Sequence, residues 1–121
     1  MQELASVKLV EQRSRFFAHL YEIGSQEDVE EILKLHRREY KKANHHCWAM
    51  RLGPEEKSKD DGEVGHPGKV LLEVLAKHNL GSHALVVSRV FGGVKLGVGG
   101  VSRAFREAGE GAVLAAGNGR E

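Results

Sequence analysis

The chain has 121 residues, 40% of them hydrophobic and 29% charged, with a formal charge of +1, an ordinary composition for one soluble domain that selects no partner class by charge. Cys47 is the only cysteine, which excludes an intramolecular disulfide and a multi-cysteine zinc cage and fits a reducing compartment. The amino terminus mixes charged with apolar residues and no window reaches the length of a membrane span, so a cytoplasmic protein without a membrane partner is expected.

Val7 to Gln12 and Arg15 to Ile23 carry β-branched and aromatic residues with partial alternation, and Arg13-Ser14 between them predicts the turn of a hairpin. Ser25, three residues before Asp28, resembles a capping box, and Val29, Ile32, Leu33, His36 and Tyr40 then share one helical face. His46 to Leu52 reads as a strand, and Gly53 to His66 as a polar, acidic loop. Pro67 opens a second helix that buries Val70, Leu71, Val74 and Leu75 and ends at Asn79 and Gly81. Ser82 to Phe91 holds the apolar run of a central strand. A third helix carries Val101, Ala104, Phe105, Ala108 and Ala112 on one face, weakened by Gly109 and Gly111, with a frayed tail from Gly117. The order β-β-α-β-α-β-α over residues 1–121 predicts a single domain of the α/β (α+β) kind, a two-layer sandwich with a mixed sheet and its helices on one face.

Chemistry concentrates between the last strand and the last helix, where Phe91 to Phe105 hold Gly92, Gly93, Gly97, Gly99 and Gly100 with Lys95 and Arg103. Glycine lets another molecule approach the main chain, and a helix start offers unpaired N–H donors, so a phosphate or carboxylate is the expected occupant. The bland reading is a tight strand-to-helix connection with no ligand. The spacing is neither a Walker A nor a dinucleotide fingerprint, because Val98 and Gly99 stand where Lys and Ser/Thr are needed and Ser102 replaces the third glycine, so no cofactor is expected. From Val64 to Arg106, Lys69, Lys77, Arg89, Lys95, Arg103 and Arg106 face only Glu73, a net charge of +5, whereas Gly53 to Glu63 is −3. Phe91 and Trp48 are the candidates for base stacking.

His45, His46 and Cys47 are consecutive, so in a strand no more than two share a face. With His66, Asp61 and Glu63 they suggest a metal site or a Cys-His-Asp arrangement, against the simpler readings of a buried apolar Cys and a packed His36. No metal is expected on that balance. Asp61 before Gly62 suits a turn, its carboxylate placed to hold Arg103 or Lys95.

Four blocks, SRFFAHL (Ser14 to Leu20), ANHHCWAMR (Ala43 to Arg51), DDGE with GKVLLEVL (Asp60 to Leu75) and VVSRVFGGVKLGVGGVSRAF (Val86 to Phe105), resemble the shared domain of the YigZ/IMPACT family across nearly the whole chain. The resemblance implies the fold of a small-subunit ribosomal protein domain, of elongation factor domain IV and of GHMP kinases. It also implies a setting in translation, since eukaryotic members restrain an initiation-factor kinase by competing for its activator and bacterial members have been proposed to bind nucleic acid. Val64, Gly65, His66, Pro67 and Gly68 fill the place of the family's hydroxyl-bearing Pro-Ser-Gly-Thr-Ala-Gly run, so a role for those hydroxyls does not carry over. Neither the eukaryotic amino-terminal domain nor the bacterial ferredoxin-like domain is read in these residues, so kinase control does not transfer directly.

The leading expectation is a non-enzymatic module that binds RNA, a ribonucleoprotein or a translation-associated protein through Lys69, Arg89, Gly92, Gly93, Lys95, Gly97, Gly99, Gly100, Arg103 and Arg106. The enzymatic alternative places a small phosphorylated or carboxylated ligand in the same pocket, with His46, Asp61 and Glu63 as acid–base candidates. The third alternative is a protein-interaction module whose acidic loop, Glu55 to Glu63, docks on a basic partner.

Overall fold

The computed structural model describes residues 1–117, and two tight hairpin turns and a run of alternating side chains explain most of its sheet. Strand β1 (Gln2–Glu11) and strand β2 (Ser14–Glu22) pair antiparallel around Gln12 and Arg13, both at positive φ (49° and 69°). That conformation matches the twist of a two-residue hairpin, so the turn sits one residue earlier than Arg13-Ser14 and Ser14 begins the strand. Helix α1 (Glu27–Glu39) follows; the Asp28 carboxylate accepts from the N–H groups of Gly24 (2.8 Å) and Ser25 (3.3 Å), so Asp28 rather than a Ser25 hydroxyl ties down its entrance.

Strand β3 (His45–Leu52) runs directly into β4 (Glu55–Lys59), then come α2 (Pro67–Lys77), β5 (Ser82–Val90) and α3 (Gly97–Gly117). The sheet order is β1-β2-β5-β3-β4. Strand β4 corrects the reading of residues 53–66 as loop throughout. Its five residues are all exposed and polar, so no apolar periodicity marks them, and the strand is held by main-chain pairing to β3. The expectation of a mixed sheet is also corrected. β5 lies between β2 and β3 and runs against both, so every hydrogen-bonded pair is antiparallel.

The α+β class stands, but the helices cover two faces and the fold has three layers. Phe16, Ala18 and Leu20 of β2, Cys47 and Ala49 of β3, and Leu85 and Val87 of β5 pack with α2 and α3. The alternate residues, Tyr21, Met50, Ala84 and Val86, pack with Val29, Ile32 and Leu33 of α1. A central β5 with apolar side chains at nearly every position requires both covers. Helix α3 begins at Gly97, four residues before the first core residue of its stripe. Gly109 fits it tightly: a Cβ there would lie 3.0 Å from Leu71 and 3.1 Å from Leu85, so the residue that weakens the helix alone is what lets it close on α2 and β5. Phe105 and Phe16 meet edge to face in that layer, with ring centroids 5.1 Å apart. Gly117 is helical, and the rest of the expected frayed tail lies outside the described residues. Among the described residues no helix is long and apolar enough to cross a membrane.

Candidate functional site

The glycine segment divides into a pinned half and an open half. The N–H of Phe91 donates to the Asn44 side chain (2.8 Å) and that of Gly92 to the Ser14 hydroxyl (3.2 Å), which fixes the chain against the β1–β2 turn. A Cβ on Gly92 would sit 2.1 Å from the Arg13 carbonyl carbon, so this glycine serves packing between two backbones and has no room for a ligand. Gly93 and Gly97, at φ of 89° and 75°, have open space where a Cβ would project. The first turn of α3 then presents the N–H groups of Gly97, Val98 and Gly99, from which no side chain or loop carbonyl accepts among the described residues, while that of Gly100 closes the helix's first i→i−4 bond.

Arg103 folds back along that turn, its guanidinium 3.3 Å from the position of a Cβ on Gly99. Lys95, Leu96, Gly100, Arg103 and Ala104 line a cavity of about 380 Å³ together with Gln12 and the two acids Glu11 and Glu107. Neither Lys95 nor Arg103 has a carboxylate within 4.0 Å among the described residues. These two cations and the turn of α3 are what remains of the predicted basic surface.

The other predicted cations are engaged elsewhere. Arg89 points into the α2–α3 layer, where its guanidinium donates to Glu63 (2.9 Å) and to the Ser14 hydroxyl (3.2 Å) and lies 5.3 Å and 5.7 Å from the ring centres of Phe16 and Phe91. The pair is buried on both sides, at 7% and 4% side-chain exposure, and Arg89 Nε has no partner among the described residues, so Arg89 is an internal strut and Glu63 its counter-charge. Arg106 donates to Glu73 across the α2–α3 seam (2.7 Å). Lys69 lines a different cavity, of about 580 Å³, with Asp60, Asp61, Gly62 and His66. Asp61 does not reach Lys95 or Arg103; its carboxylate accepts from the His46 main-chain N–H (2.7 Å). Asp60 accepts from the Gly68 N–H (2.8 Å) and thereby caps α2 at a distance, a role the sequence does not announce.

His46 and Asp61 lie apart from the α3 cavity, in a cleft with Glu30, Leu33, Arg37, Trp48 and Lys59, so acid–base candidates and glycine turn do not share one pocket. Cys47 projects to the opposite face from His46, fully buried, with its thiol donating to the Asp60 carbonyl (3.1 Å); burial first, then Glu63, pushes the thiol's pKa up. It is a core residue, not a nucleophile. Among the described residues no three His, Cys, Asp or Glu side chains gather as metal ligands.

A polar chain under α1 escapes the sequence reading. His46 Nδ1 and His36 Nδ1 both lie 2.7 Å from the Ser88 hydroxyl, and His36 Nε2 lies 2.9 Å from the Tyr21 hydroxyl. Beside it, His19 bridges Glu3 and Tyr40, at 2.6 Å to each. Burial holds His36 far below the usual imidazole range, at about 3, with His19 and His46 as lesser causes, and burial also lowers His46. The signal available in advance is Ser88, a lone hydroxyl in an apolar central strand, in phase with His46 on the neighbouring strand.

The profile of the Impact N-terminal domain matches residues 12–113. IMPACT family member YvyE of Bacillus subtilis is 36% identical over 109 residues, covering 87% of this chain and 50% of that protein. An IMPACT family member of Thermus thermophilus is 40% identical over 94 residues (78% of this chain, 51% of the relative), and YigZ of Escherichia coli is 35% identical over 109 residues (84% and 53%). The crystal structure of a hypothetical protein superposes with a TM-score of 0.85 at 30% identity, over 90% of this chain and 56% of that one. The two-domain translational regulator Yih1 shares the fold at a TM-score of 0.59 and 24% identity, over 94% and 46%. The chain spans about half the length of the curated relatives it matches. On the profile match and on these identities, the chain belongs to the Impact N-terminal domain family.

Proposed function

We propose that this chain is a translation-associated binding module that takes a phosphate of RNA or of a ribonucleoprotein at the first turn of α3. The observation that carries the reading is the pairing of open main-chain N–H groups at Gly97–Gly99 with Lys95 and Arg103, two cations without a carboxylate partner among the described residues. Amide donors at a helix start and mobile cations complement a phosphate in charge and in hydrogen bonding. Glu11 and Glu107 at the rim weigh against a long polyanion track and favour one or two phosphate contacts. The translational setting rests on kinship with the IMPACT family.

The test is binding of a labelled single-stranded RNA of mixed sequence across a salt series. Replacing Lys95 and Arg103 together by alanine is expected to weaken binding and to flatten the slope of log affinity against log salt by about 1.4 units, roughly 0.7 for each phosphate contact on a single strand. An unchanged slope refutes the assignment.

One observation favours a protein partner at the same place. Val64, Phe91, Val94 and Val98 are 51%, 45%, 39% and 60% exposed and belong to the two segments that meet at the start of α3, where Gly65 abuts the Val98 carbonyl. An apolar rim of this kind suits a docked protein. Capture that survives ribonuclease, is insensitive to salt and is lost on Val98→Asp distinguishes that reading from the first.

A further inference from the structure

The polar chain under α1 ends in a cleft that shares no residue with the α3 cavity. The Tyr21 hydroxyl meets His36 Nε2, and the Ser88 hydroxyl joins His36 Nδ1 to His46 Nδ1. Burial keeps His36 neutral, so each of its two ring nitrogens has a fixed partner and a single proton between them. With Nδ1 of His46 held by Ser88, its Nε2 is the ring nitrogen left without a partner among the described residues.

His46 lines a cleft of about 310 Å³ between α1 and the β3–β4 hairpin. Trp48 contributes a half-buried indole there, and Arg37 and Lys59 line it with no carboxylate within 4.0 Å among the described residues, although Glu30 and Asp61 share the lining and the Asp61 carboxylate is taken by the His46 main-chain N–H. The volume lies at the small end of ligand sites, about 300 to 1,000 Å³. We infer that this cleft is a second ligand site, in which His46 Nε2 hydrogen-bonds a small anionic ligand whose phosphate or carboxylate lies between Arg37 and Lys59 and whose flat portion rests on Trp48. The contacts are those a metabolite with one flat ring and one phosphate or carboxylate offers: stacking surface, a polar group and an anion.

A titration of the full chain decides it, with uridine monophosphate as the probe and Trp48, the only tryptophan, as the reporter. A saturable change in emission that weakens at least tenfold in His46→Ala and persists in the Lys95→Ala, Arg103→Ala double variant is expected. Absence of a saturable change, an unaltered affinity in His46→Ala, or loss of the response in the double variant overturns the second site. Because the two sites share no residue, failure here leaves the α3 assignment standing.

Discussion

The two faces of the sheet are built on different principles, and neighbouring residues of β5 show it. Val87 faces α2 and α3 among Phe16, Leu71, Leu85 and Phe105, a layer of hydrocarbon whose main ionic intrusion is the Arg89–Glu63 pair near its edge. Ser88, the next residue, faces α1 and its hydroxyl is hydrogen-bonded to two histidines. The first face gains stability from area removed from water; the second gives up part of that gain to hold a defined set of protons. Stability and chemistry are thus assigned to opposite sides of one strand.

The largest effect belongs to the apolar face. Phe105→Ala removes a fully buried ring in edge contact with Phe16 and leaves a cavity that α3 cannot close without losing Gly109's fit against Leu71 and Leu85; a loss of about 3–5 kcal/mol in urea unfolding is expected. A loss below about 1 kcal/mol would mean that the layer is loosely packed and would erase the contrast between the faces. Arg89→Met follows. It keeps bulk between Phe16 and Phe91 but strands the Glu63 carboxylate at 4% exposure, and about 3 kcal/mol of destabilisation is expected, with recovery in the Arg89→Met, Glu63→Leu double variant. Failure of the second change to rescue would show that the pair contributes through its hydrogen bonds to the turn at Ser14 rather than by mutual neutralisation.

How much of this was legible in the sequence follows the same division. The apolar face is written in period: Leu71, Val74 and Leu75 on a helix, Leu85 and Val87 on a strand, so element order and class could be read. The second cover was missed because α1 looks like any amphipathic helix and nothing local says which face it covers. β4 was missed because a five-residue edge strand of exposed Glu, Lys and Ser has no period at all. At the site, residue type was readable and direction was not. Arg89 and Lys95 are both cations six residues apart, yet strand parity turns the first into the core while the loop leaves the second at the cavity. Gly92 and Gly97 likewise look alike in sequence, and only the approach of the Arg13 backbone separates packing from exposure.

On the polar face, Ser88→Ala should cost less than either core change. It deletes one hydroxyl and leaves the Nδ1 atoms of His36 and His46 without their shared partner, a loss of about 1–3 kcal/mol for unsatisfied buried groups. Ser88→Cys, similar in size but a poor donor and acceptor, is expected to recover packing only. If Ser88→Ala proves neutral, water substitutes for the hydroxyl and the chain from Tyr21 to His46 is not continuous.

The smallest effect per step is the dependence on pH, and its sign separates the faces most cleanly. Burial holds His36 at about 3 in the folded protein against 6.5 for an ordinary imidazole, so between those values the unfolded chain binds a proton that the folded one refuses. Stability is therefore fully present above pH 6.5 and falls as the pH drops, by up to about 1.4 kcal/mol per pH unit. Burial of His46 adds to the slope in the same direction. The carboxylates that the fold favours, Asp28, Glu73 and Glu110, also make stability rise with pH, but chiefly below about pH 5, so urea midpoints taken between about pH 5 and 6.5 isolate the histidines. His36→Gln keeps a donor and an acceptor under α1 and removes the titration, so its midpoint should vary much less over that range, whereas Phe105→Ala should lower the whole curve without changing its slope. A wild-type midpoint that is flat, or that rises toward acid, would mean that His36 takes up a proton inside the fold, and the polar chain from Tyr21 to His46 would lose its neutral link.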